Sequence, residues 1–182
     1  MRPRGMKRIV VNASVARAAG GEGATASVSI NCTEFLETFR DNTPHHVVMT
    51  LELSEEWDEH QSNFAAAWLA NMIATKRFHY VEFSQNRTLH EKIEATASQQ
   101  KDINAMLKDF HLLGAALATD QIVISLDETI RTLFAQVSQR VSEIRDIIWV
   151  NPERTTKEQP ITWLKNGAPP EVQRQLSAYP IQ

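Results

Sequence analysis

Five positions spread along the chain carry side chains able to do hydrolytic or metal chemistry together: Asn12 with Ser14, a glutamate cluster at 52–59, Asp109, Ser125 and Asp127. Each follows or precedes a short apolar run. Ligands in open α/β sheets sit beyond the carboxyl ends of the strands. Asn12 ends the run Arg8–Val11, and Ser125 and Asp127 close the run 121–125. Glu52, Glu55 and Glu56 occupy the first turns after the run 46–50, and Asp109 opens the helical stretch that leads into 121–125. A helix running antiparallel to the sheet begins at the carboxyl edge, so Asp109 belongs to the same rim. Carboxylates gathered there repel by roughly 4 kcal/mol per pair at ~4 Å and an effective dielectric near 20. A hard divalent cation relieves that repulsion, and an all-oxygen donor set favours Mg²⁺ or Mn²⁺ over zinc. Such a site suits phosphodiester hydrolysis.

The chemistry requires elements that deliver these residues to one place. Short β-branched runs at 8–11, 46–50, 121–125 and 147–150, with an alternating 78–83, predict strands. A helix is expected from Asn31, with Asn31 as cap and Glu34 reaching back, stopping before Pro44. A single long helix is expected from about Leu51 to Thr75, helical composition over 88–107, and helices at 110–119 and 127–138. Apolar strands alternating with amphipathic helices predict an α/β fold with a central parallel sheet of four to five strands covered on both faces. Residues 1–151 form the expected domain. Residues 152–182, with five of the seven prolines, read as a C-terminal arm with one short helix near 170–178.

Composition bounds the function. The chain has 182 residues, 42% of them hydrophobic, and a net charge of −3. That excludes binding of nucleic acid by bulk positive charge alone. One cysteine, Cys32, excludes an internal disulfide and a cysteine-based zinc site. No apolar run is long enough for a membrane helix, and the basic start lacks the apolar stretch of a signal peptide. The expectation is therefore a cytoplasmic chain with no membrane association.

The segments Ile9–Val15, Val47–Trp57, Lys108–Leu112 and Ile124–Asp127, in that order and spacing, resemble the PIN-domain family of nucleases over residues 7–151. The resemblance implies a three-layer α/β/α fold and a metal-dependent ribonuclease using Mg²⁺ or Mn²⁺. It places the family's four acidic positions on Asn12, Glu56, Asp109 and Asp127, with Ser14 and Ser125 as supporting hydroxyls. Glu56 is selected among the glutamates because Glu56-Trp57 resembles the family's Glu followed by a bulky apolar residue. RNA is the implied partner. An antitoxin or other protein partner and a homodimer are compatible with many members. Asn12 stands where the family has Asp, and an amide brings neither negative charge nor a base, so weakened cleavage is expected. The alternative function is a non-catalytic PIN-like domain that binds RNA or protein.

Plainer roles exist for the same residues. Asp109 and Asp127 suit helix N-termini, and the glutamates suit a solvated helix face. The six histidines show no metal-ligand spacing, and His111 is expected on a helix flank. Arg17 and Lys108 are among the basic residues that could meet phosphate.

Overall fold

Short β-branched apolar runs with no polar alternation suit strands buried on both faces, and the sheet is built from them. The structure, a computed structural model, describes residues 5–82, 86–96 and 99–180. Strand β1 (Arg8–Val11) leads through helix α1 (Ala13–Ala18) and α2 (Ser27–Asn42) to β2 (His46–Met49). Helices α3 (Leu51–His60) and α4 (Asn63–Ala74) precede β3 (Phe78–Tyr80). Helices α5 (Arg87–Thr96), α6 (Gln100–Lys108) and α7 (Phe110–Leu117) precede β4 (Ile122–Ile124), and α8 (Glu128–Ser138) precedes β5 (Ile148–Val150). The five strands are all parallel in the order β3-β2-β1-β4-β5. One group of helices packs α2 against α1 and α4, and another packs α6 against α5, α7 and α8. Together they flank the sheet as a three-layer α/β/α fold. Ile9 to Val11, Val47 to Met49 and Ile122 to Ile124 are buried at its centre.

The chain moves outward from β1 through β2 to β3, then returns to lay β4 on the other side of β1. Connections leave β1 and β4 in opposite directions, so a crevice opens at their carboxyl ends.

Several expected boundaries shift. Helix α2 begins at Ser27 with Ala26 as its N-cap, not at Asn31, which lies inside the helix. The serine and threonine of its first turns serve the preceding loop: Gly20 N–H donates to Ser29 Oγ at 2.9 Å and Gly21 N–H to Thr33 Oγ1 at 3.0 Å. Gly21 has φ +81°, a conformation other residues rarely adopt. The single helix expected over 51–75 is two, because Ser62 caps a new one. Its Oγ accepts from Ala65 N–H at 3.0 Å and donates to Ala19 O. The break turns two indoles inward: Trp57 and Trp68 are fully buried and stacked 6.0 Å apart. The third strand is shorter than expected, ending at Tyr80, and Phe83 lies outside the described residues.

The C-terminal segment differs from the expected arm with one helix near 170–178. It carries α9 (Thr155–Glu158) and α10 (Pro160–Lys165), then 3-10 turns at Val172–Arg174 and Leu176–Ala178. Trp163, Leu164 and Leu176 are buried, with α10 against α2. Gln175 forms an antiparallel bridge with Ile148 of β5, beside a Leu176 N–H to Ile147 O bond of 2.9 Å. Buried Arg131 pairs with Glu158 at 2.8 Å and lies 4.2 Å over the Tyr179 ring. This apolar and ionic fastening makes the segment part of one packed body.

At the opposite edge, Arg77 closes the carboxyl end of α2. Its guanidinium donates to the carbonyls of Phe39, Arg40, Thr43 and His45 at 2.6–3.0 Å. These carbonyls have no helical partner of their own, and charged donors suit the negative end of a helix. Arg77→Ala should destabilise the protein by about 2–3 kcal/mol, a fall in Tm of about 5–10 °C by calorimetry. A change below about 1 °C would remove Arg77 from this role.

Candidate functional site

The crevice beyond β1 and β4 is a cleft of about 660 Å³ lined by Asn12, Ser14, Glu56, Asp109 and Asp127, with Arg17 and Lys108 at its basic side. Each acidic group arrives by a different route. Asn12 follows β1 directly, and its N–H remains in the ladder through Ile124 O at 2.8 Å. Glu56 lies on α3, which is locked to the end of β1 because the buried Trp57 Nε1–H donates to Val11 O at 2.9 Å. Asp109 occupies the joint between α6 and α7 with φ −101° and ψ 10°, and its side chain makes no capping bond. Asp127 precedes α8 and does cap it, with Oδ1 accepting from Ile130 N–H at 3.0 Å. Capping and cleft placement coexist at Asp127, since the cap uses one oxygen.

The two serines act below and beside the acids. Ser125 is fully buried and does not line the cleft; its Oγ accepts from Asn12 Nδ2 at 2.9 Å and from Asp127 N–H at 3.1 Å. Ser14 lines the cleft, and its Oγ accepts from Leu126 N–H at 3.2 Å. Their hydroxyls hold the turn that presents Asp127.

Electrostatics mark Asp109 as the strained member. Its carboxyl is pushed up to about 6, by burial first and then by the charges of Glu56 and Asp127, against the opposing pull of His111 and Lys108. A carboxyl raised in this way is disfavoured as an anion, chiefly because it is withdrawn from water and secondly because Glu56 is beside it.

His111 belongs to the site, contrary to the expected helix-flank position. It is 6% exposed, and its Nε2 lies 3.1 Å from Glu56 Oε1. Glu56, Asp109 and His111 each offer one ligand atom within 4.8 Å of the others, a group able to hold a metal ion. No spacing rule reveals it, because Glu56 and His111 are 55 residues apart and meet only where α3 touches α7. The one available signal was His111 sharing the helix start with Asp109.

Fold and site thus define an α/β protein with an acidic cleft at the point where its parallel sheet changes direction. In comparisons with protein-family models, characterised proteins and solved structures, nothing matches the chain. Among the described residues, no helix is long and apolar enough to cross a membrane.

Proposed function

We propose that this chain is a PIN-like, Mg²⁺- or Mn²⁺-dependent ribonuclease whose activity is held down by Asn12. The observation carrying this reading is the gathering of Glu56, Asp109 and Asp127 around one cleft, with Asn12 in the position of a fourth ligand. The donor set fits the cation: carboxylate oxygens suit hard ions, and an ion there would favour the anionic form of the Asp109 carboxyl, which burial and Glu56 disfavour. Glu56, Asp109 and Asp127 would hold the ion, joined by the Asn12 amide oxygen, since the amide nitrogen is committed to Ser125. When bound, such an ion lowers the pKa of water and stabilises charge on a phosphodiester. Arg17 and Lys108 offer positive charge to the flanking phosphates. Ser14 and Ser125 fix the turn carrying Asp127, so the acidic groups do not have to reorganise as charge develops.

Mn²⁺ at about a hundredfold excess over its Kd should stabilise the protein by about 2.7 kcal/mol, a rise in Tm of about 5–10 °C. Asp127→Ala should lose that rise and any cleavage of single-stranded RNA. An unchanged Tm in wild type at millimolar Mn²⁺ would remove the ribonuclease assignment. Asn12 itself favours a second function, non-catalytic binding of RNA or a protein. Retained RNA binding with no cleavage, even in Asn12→Asp, would select it.

A further inference from the structure

We infer that His111 is a positioning residue for Glu56, donating from Nε2–H to its carboxylate, and is not itself a metal ligand. The inference rests on the proposed cation site and fixes which cations that site prefers.

An ionised carboxylate only accepts hydrogen bonds. The 3.1 Å contact between His111 Nε2 and Glu56 Oε1 therefore requires the proton on Nε2. The other ring nitrogen agrees: Nδ1 is buried and has no hydrogen-bond partner among the described residues. Ligation through Nε2 would leave the ring proton on Nδ1, a buried N–H with no acceptor among the described residues. Metal-bound histidines nearly always donate that second N–H to a neighbour, and here no neighbour accepts it. Ligation through Nδ1 is closed as well, because that atom is sealed from the cleft solvent. The imidazole thus orients one oxygen of Glu56 and leaves the second for an ion. The ligands that remain are all oxygens, so the site selects hard Mg²⁺ or Mn²⁺ over Zn²⁺.

Two measurements decide it. Nitrogen-15 spectra of the metal-free wild-type protein, recorded where the His111 ring carries a single proton, should show that proton on Nε2. An Nδ1–H tautomer overturns the inference without reference to any metal. Calorimetry with Mn²⁺ and with Zn²⁺ then compares wild type, His111→Ala and His111→Gln, whose amide can donate from nearly the same place. Loss of an orienting neighbour weakens ion binding about 10–100-fold, so the alanine variant should fall by that factor for both ions. The glutamine variant should stay within about threefold of wild type. Glutamine failing as badly as alanine, or Zn²⁺ losing much more than Mn²⁺, makes His111 a ligand and sinks the inference alone. Wild type that binds no Mn²⁺ overturns the ribonuclease assignment and this inference with it.

Discussion

Asn12→Asp should raise Mn²⁺-dependent RNA cleavage at least tenfold and tighten Mn²⁺ binding by a similar factor. The position is 7% exposed, so a new charge there is poorly screened. One added negative charge at ~4 Å from a cation contributes roughly 4 kcal/mol per unit of cation charge, gross, at an effective dielectric near 20. Desolvation of the carboxylate and repulsion from Asp109 and Asp127 offset much of this. A net gain of about 1.4–3 kcal/mol, tenfold to about a hundredfold, is the expected remainder. The surroundings can accept the change. Ser125 Oγ accepts from Asn12 Nδ2 at 2.9 Å, and a hydroxyl can turn its proton toward an aspartate while still accepting from Asp127 N–H. Without metal the variant should be less stable than wild type, since it adds a like charge to the cleft. Single-turnover cleavage of a labelled RNA, with Asp127→Ala in the Asn12→Asp background as control, gives the rate. Equal rates for wild type and Asn12→Asp would detach residue 12 from the chemistry.

Asp109→Asn should abolish the Mn²⁺-induced rise in Tm and, at the same time, stabilise the metal-free protein at pH 7.5. The carboxyl holds its proton up to about pH 6 in the folded chain, against about 3.9 when unfolded. The folded state therefore binds this proton more tightly, and ionising it works against folding. The penalty is fully present above the folded value, shrinks as pH falls through 6, and is gone below about 4. Taken at face value the difference is about 3 kcal/mol; partial solvent exposure of the group reduces it to about 1–2 kcal/mol. Urea unfolding at pH 7.5, 5.5 and 4 should show the variant's advantage, its decline and its disappearance in that order. A variant no more stable than wild type at pH 7.5 would mean that burial and the Glu56 charge do not penalise the ionised Asp109.

The sheet was readable from sequence because its information is local. Ile9-Val10-Val11 and Ile122-Val123-Ile124 are runs that only burial on both faces explains, and the strand-end rule then pointed to Asn12 and Asp127 with no further input. Asp109 was placed by the direction of its helix. Other features depend on contacts between distant segments. The break at Gln61–Ser62 falls at Ser62-Asn63, residues that favour a cap over a helix interior, and it is held by Ser62 reaching Ala19. Helix α2 starts early because Ser29 and Thr33 serve the glycine loop rather than act as caps. His111 turns toward Glu56 because α7 packs beside α3, and Ser125 turns beneath the cleft to meet Asn12; neither orientation leaves a mark on residue spacing. Packing of Trp163 and Leu176 made a body out of what composition presented as an arm.

The antiparallel bridge between Gln175 and Ile148 also governs how this molecule could grow into larger assemblies. It occupies part of the border of the sheet at β5, where a strand of another copy would otherwise add. Strand-to-strand joining needs two unpaired borders per copy to propagate. With the β5 border occupied by the chain's own C-terminal segment, edge-to-edge joining cannot lengthen into a fibre through it.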